Sequence, residues 1–184
     1  MRIVGGLWGG RRLTAPRGDA TRPTSDRVRE ALFAIVGDLE DARVLDLCAG
    51  TGAVGLEALS RGAAHATFVE KGTPALKALG SNLAALGVPV DRHQLLRLDL
   101  RRAAARLGPA YDFIYADPPY DQVDDLTEPL LGVVQATLSP TGLTVIEHRS
   151  RDPAPKPTDA LFQDDLRVYG ETALAFYRRL PVST

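Results

Sequence analysis

The sequence predicts a doubly wound α/β domain with a mostly parallel sheet, on three observations. Short apolar runs alternate with helical periodicity from residue 43 onward, a glycine-rich turn follows the first of those runs, and the last two runs stand too close for a helix between them. The length agrees, because 184 residues with 45% apolar content suffice for one sizeable core with short appendages. Two segments follow: an N-terminal arm and helix over 1–40, and the α/β domain over 41–184.

Residues 1–22 are rich in Gly and Arg with short apolar runs, which reads as a small hairpin or an extended arm. Next, Pro23-Thr24-Ser25 offers a helix cap, and Val28, Ala31, Leu32, Ile35 and Val36 recur at the spacing of one helix face. Runs at 43–47, 65–70, 95–99, 111–116 and 143–148 read as buried parallel strands, with helices near 53–61, 73–86, 100–107 and 123–138 between them. Residues 166–170 and 172–179 are joined by a tight turn and must be antiparallel. The Pro-rich stretch 150–164 is expected to be a surface loop.

Composition narrows the classes. No apolar run is long enough for a membrane span or a signal peptide, which predicts a soluble, cytoplasmic protein. Cys48, the only cysteine, cannot form an internal disulfide and is expected to fill space beneath the loop that follows; His65, His93 and His148 lack metal-ligand spacing, so no metal is expected. Charge is distributed unevenly: residues 1–30 hold seven arginines against three acids, whereas the remainder holds 15 basic and 20 acidic residues. A basic arm on an acidic body predicts contact with nucleic acid, and Arg11, Arg12, Arg22 and Arg29 are its candidate residues. Trp8 in a short hairpin more often anchors it to the body than stacks on a base.

The run 43–47 leads into Cys48-Ala49-Gly50-Thr51-Gly52-Ala53-Val54-Gly55, a GxGxxG where a strand becomes a helix. Gly50 and Gly52 allow unusual backbone angles and close approach of a ligand, but this motif alone also suits a nicotinamide or flavin dinucleotide. Asp46, four positions before Gly50, separates the readings. Its carboxylate would repel a pyrophosphate, whereas S-adenosylmethionine (SAM) carries a sulfonium and an ammonium and no phosphate. Glu70, 20 residues after Gly50, has the spacing of an acid that accepts from ribose hydroxyls, and Asp99 at the end of the third strand is placed to accept from the adenine amine or to cap a helix. All three acids fall at C-terminal strand ends, the edge where open α/β sheets bind ligands.

After 111–116 comes Asp117-Pro118-Pro119-Tyr120. Two prolines fix two φ angles and remove two donors, so the turn is rigid and presents carbonyls. An exocyclic base amine is a poor nucleophile because its lone pair is conjugated into the ring. The Asp117 carboxylate and the Pro118 carbonyl can each accept one amine hydrogen and so aim that lone pair, while Tyr120 stacks on a splayed or flipped base. A plain strand-end turn would explain an isolated Asp-Pro, but not a full DPPY on a sheet whose first strand carries DxxxGxG.

Together the two motifs resemble amine-directed nucleic-acid methyltransferases, and the antiparallel tail is similar to that of the Rossmann-like class I methyltransferase fold. The opening RIVGGLWGGRRL, then RPTSDRVREALF, VLDLCAGTGAVGLEALSRGA, DPPY and the terminal RVYGETALAFYRR resemble, in order and over nearly the whole chain, the RsmD family of 16S rRNA guanine-N2 methyltransferases. The resemblance implies a bacterial enzyme that modifies one guanine of small-subunit rRNA in an assembled or assembling 30S subunit; no obligate protein partner is evident in the sequence. It carries SAM binding onto Asp46, Gly50, Gly52, Glu70 and Asp99, and amine positioning onto Asp117, Pro118 and Tyr120. Three rivals are weighed against it. A nicotinamide-dependent oxidoreductase leaves Asp46 and DPPY unexplained, a DNA or RNA adenine-N6 methyltransferase shares both motifs, and a non-catalytic assembly factor would not need them intact.

Overall fold

The computed structural model of the protein describes residues 1–16, 25–108, 110–119 and 122–181, with Asp124 described in its backbone alone. Among the described residues seven strands form one sheet: β1 (Arg43–Leu47), β2 (His65–Glu70), β3 (His93–Arg97), β4 (Tyr111–Ala116), β5 (Leu138–Arg149), β6 (Leu161–Tyr169) and β7 (Thr172–Arg179). Their order is β3-β2-β1-β4-β5-β7-β6, parallel throughout except for β7, which runs antiparallel to both neighbours. The strand order reverses between β1 and β4, the topological switch point at which open sheets leave a crevice beyond the strand ends.

Among the described residues four α-helices accompany the sheet: α1 (Asp26–Val36), α2 (Ala53–Ser60), α3 (Thr73–Leu86) and α4 (Val123–Thr137). The Ser25 side chain accepts from the Val28 N–H and caps α1, whereas Pro23, Thr24 and Arg22 lie outside the described residues. Strand alternation divides the apolar side chains between two layers. Val44, Phe68, Phe113, Tyr115 and Val145 pack beneath α1, α2 and α3, and Leu45, Leu47, Ile114 and Ile146 pack against α4.

The structure corrects several expected elements. The third strand spans His93–Arg97 and is mostly exposed as a sheet edge, so Asp99 stands two residues beyond it. Only the 3-10 turn Leu100–Arg102 occupies the start of the helix expected at 100–107. Leu100 and Ala103 are buried but Ala104, Ala105 and Arg106 are exposed, so little apolar surface holds a longer helix there, and Asp99 caps the turn by accepting from the Arg101 N–H. The last strands are longer than their apolar runs: β5 begins at Leu138 and β6 at Leu161, inside the stretch expected to be loop. Pro155 in that stretch is buried and its carbonyl accepts from the Tyr177 hydroxyl at 2.6 Å. Pairing on an edge strand tolerates polar side chains, which is why periodicity did not reveal it.

The N-terminal segment is a docked hairpin. Arg2 and Arg12 form an antiparallel bridge, Ile3 exchanges backbone hydrogen bonds with Gly10 and Arg11, and Ile3 and Leu13 are buried in the same cluster as α1, α2 and the sheet. Buried Glu57 on α2 accepts from the N–H groups of Val4 and Gly5 at 2.6 and 2.7 Å, and Ser60 accepts from the Trp8 N–H at 2.9 Å. Such charge-assisted bonds to backbone are worth about 1.5–3 kcal/mol each, enough to hold a short hairpin in place. Trp8 packs against the core with part of its surface covered.

Candidate functional site

A cavity of about 1170 Å³ opens at the C-terminal strand ends. Among the described residues its wall includes Asp46, Cys48, Gly50, Glu70, Asp99, Asp117 and Pro118, together with Tyr115 from β4, residues 149–151 at the end of β5, and Met1, Ala15 and Pro16 from the hairpin. Such a volume accommodates an adenosyl cofactor with a base beside it.

The turn after β1 is held tightly. Cys48 and Gly50 take left-handed backbone angles, φ +57° and +56°, the first unusual for a residue with a side chain. Gly50 reaches the cavity, whereas Gly52, expected to bind the cofactor, is buried behind its wall. Its φ is +76°, and a Cβ there would lie 2.3 Å from the Leu79 side chain, so Gly52 serves the turn and its packing. Cys48 is half-buried and faces the cavity, and burial, then the charges of Glu70, Asp117 and Asp46, pushes its thiol up to about 12. It is inert as a nucleophile.

Glu70 closes the loop. One carboxylate oxygen accepts from the Gly50 N–H at 2.8 Å, and the other accepts from the N–H groups of Lys71 and Gly72 at 2.8 and 2.6 Å. A carboxylate offers about four acceptor positions, so one remains for a ligand hydroxyl. Asp99 pairs with Lys71 at 3.7 Å and Arg101 at 3.4 Å, and the hydrogen bond from the Arg101 backbone N–H chiefly holds its carboxyl below the ordinary carboxylate range.

Acids crowd the centre of the cavity floor. Asp46 is almost fully buried, accepts from the Gly55 N–H at 2.9 Å, and is raised to about 8, mainly by burial and secondarily by Glu70. Asp117 is raised well above the carboxylate range, first by burial and then by Glu147 and Asp46. Glu147, at 2% exposure, accepts a short hydrogen bond from the Tyr115 hydroxyl. The register pairs Asp46 with Tyr115 and Tyr115 with Val145, so alternation brings Asp46, Asp117 and Glu147 to one face at the ends of three adjacent strands. Buried carboxylates this close cannot all ionise without compensating positive charge. A ligand carrying a sulfonium and an ammonium supplies that charge, so the residues present fit SAM.

Several of these residues had little sequence signal. Glu147 lies near the C-terminal end of its strand as Asp46 and Glu70 do, and that shared position was the available clue. Asn82 shows none: it is buried on α3, exchanges hydrogen bonds with Thr14, and donates to the Thr51 carbonyl, tying the hairpin to the glycine loop. Tyr120 lies outside the described residues. Of the candidate RNA-contacting arginines, Arg11 and Arg12 are exposed, Arg22 lies outside the described residues, and Arg29 is corrected: it is 0% exposed and donates to Asp26 and to the Arg2 carbonyl. Its guanidinium joins α1 to the hairpin and cannot reach a phosphate.

Comparison with known proteins identifies the family and the fold. A family model described as "Conserved hypothetical protein 95" matches residues 1–178. Bacillus subtilis YlbH is 36% identical over 97% of this chain and 99% of its own length, and Escherichia coli ribosomal RNA small subunit methyltransferase D is 33% identical over 97% and 90%. The solved structure of Escherichia coli yhhF superposes with a TM-score of 0.85 at 32% identity, covering 97% of each chain. The chain therefore belongs to the family of ribosomal RNA small subunit methyltransferase D, the RsmD family.

Proposed function

We propose that this protein uses SAM to methylate the exocyclic N2 amine of a guanine in small-subunit rRNA, in an assembled or assembling 30S subunit in the cytoplasm. One observation carries the reading: Asp117 and Pro118 open into the same cavity as Asp46, Gly50, Glu70 and Asp99, so an amine grip adjoins a cation-seeking floor. The small-subunit rRNA substrate is supported by the matched Escherichia coli relative, which is named for it. Bound SAM supplies an electrophilic methyl group. Glu70 offers its remaining acceptor position to ribose, Asp99 faces the adenine end, and Asp46 balances positive charge. Asp117 and the Pro118 carbonyl accept the two amine hydrogens, and Asp117 stabilises the charge that develops on nitrogen and takes up a proton afterwards. Tyr120, two residues after Pro118 in the chain, would stack on the base.

Incubating the protein and labelled SAM with naked rRNA, small subunits and DNA, then identifying the methylated nucleoside by mass spectrometry, tests this. N2-methylguanosine in small-subunit rRNA is expected; N6-methyladenosine in any substrate would replace the reading with its adenine counterpart.

The hairpin is the proposed RNA-binding device. Arg11 and Arg12 lie exposed on it, and Ala15 and Pro16 a few residues on form cavity wall, so RNA held by these arginines would lie beside the site. Arginine suits the role because its planar fork grips phosphate in bidentate fashion. Replacing both with alanine should leave SAM affinity unchanged, weaken binding to the subunit, and lower the slope of log K against log salt by up to about 0.9 per lost phosphate contact. The check is a salt series beside a SAM titration; equal slopes for variant and wild type would place the RNA elsewhere.

A further inference from the structure

Asn82 stands in the body of α3 behind the cavity wall, at 2% exposure. Both hydrogens of its side-chain amide and the oxygen are engaged. The oxygen accepts from the Thr14 N–H at 2.7 Å, while the nitrogen donates to the Thr14 carbonyl at 3.1 Å and to the Thr51 carbonyl at 3.0 Å. One side chain thus pairs with Thr14 as a neighbouring strand would, and its remaining hydrogen grips the glycine-rich loop.

Both partners adjoin the cavity. Gly50 and Thr51 line it from the loop, and Ala15 and Pro16, next in the chain after Thr14, line it from the hairpin. The hairpin is held to α2 through Glu57 and Ser60, which bond Val4, Gly5 and Trp8; its outgoing end is held to α3 through Asn82. Thr14 and Ala15 are exposed, so that end buries little surface of its own and its position depends on the amide. A ligand in the cavity meets residues 15–16 only while they are docked. RNA gripped by Arg11 and Arg12, which shortly precede them, lies beside the site only in the same arrangement. Two ligands that favour one arrangement raise each other's affinity by the same factor, and that factor depends on what holds the arrangement together.

We propose that Asn82 is a positioning residue that links the two substrates. By fixing residues 14–16 against the glycine-rich loop it completes the SAM pocket and makes SAM and rRNA binding mutually reinforcing. This rests on the reading of the hairpin as the RNA-binding device. Loss of the amide acts on position more than on stability, because water can reach the backbone groups of exposed Thr14 in its place.

The test measures small-subunit binding by the full chain with and without sinefungin, an unreactive SAM analogue that keeps the positive charge. In wild type the analogue should tighten subunit binding about tenfold, and subunits should tighten analogue binding by the same factor. Asn82→Leu keeps the volume without the hydrogen bonds. It should raise KM for SAM about tenfold with kcat changed much less, and reduce the linkage factor to about twofold or less. If that variant does not fold, Pro16→Gly loosens the same segment from outside the core and should lower the factor likewise. A wild type without linkage, or an unaltered factor in the folded variant, overturns the proposal. So does a lowered melting temperature with KM and the factor intact, which would make Asn82 purely structural. Failure of the hairpin reading looks different: the Arg11 and Arg12 double variant would then bind subunits as wild type does, with an equal salt slope, and this inference would fall with it.

Discussion

Asp117→Ala should lower kcat by about a hundredfold or more while SAM affinity stays within about threefold of wild type. The carboxylate sits at the end of β4, with its backbone N–H directed at the Leu47 carbonyl of β1 at 3.4 Å, so its position is set by the sheet. Its contact with the amine strengthens as positive charge develops on nitrogen, which is why the loss falls on kcat. The other acids of the floor, Asp46 and Glu147, remain to balance a cationic cofactor, which is why binding survives. Asp117→Asn keeps an acceptor without the charge and should lie between the two. Single-turnover rates at saturating SAM make the measurement, and a wild-type rate in Asp117→Ala would dismiss the amine grip.

Asp46→Ala should weaken SAM binding by about 1–3 kcal/mol, roughly 5- to 150-fold in Kd, and leave the Gly55 N–H without its partner. Glu70→Ala should fall in the same range for a second reason, because three backbone N–H groups that shape the loop lose their acceptor. Asp46 also makes binding depend on pH. With its carboxyl raised to about 8, the empty site holds a proton at neutrality that a cationic ligand must displace. SAM affinity should therefore rise with pH by up to about tenfold per unit below 8 and level off above it. Stability of the empty protein runs the opposite way. A carboxyl whose folded value is raised stabilises most below its ordinary 3.8 and loses that contribution as pH climbs toward 8. Calorimetry in buffers of different ionisation enthalpy reads the released proton. A pH-independent Kd in wild type, or a slope in Asp46→Asn equal to that of wild type, would contradict the assignment.

The parallel sheet and the placement of Asp46, Glu70 and Asp117 at strand ends were legible in the sequence, because burial imposes periodicity on a strand and a tight turn demands glycine and proline. The runs at 43–47, 65–70, 111–116 and 172–179 match β1, β2, β4 and β7 residue for residue. Where burial is one-sided or pairing is at an edge, that signal fades. β3 and β6 were misplaced or shortened, and a single 3-10 turn stands where a helix was expected. Tertiary structure alone decided what depends on distant residues meeting. It buried Arg29 against Asp26 and Arg2, set Gly52 behind the cavity wall against Leu79, and brought Glu147 beside Asp117 from 30 residues away in the chain. Sequence spacing fixes which residues share a face of one element. Only the packing of elements fixes which charges share a cavity, and the chemistry of this site depends on those shared charges.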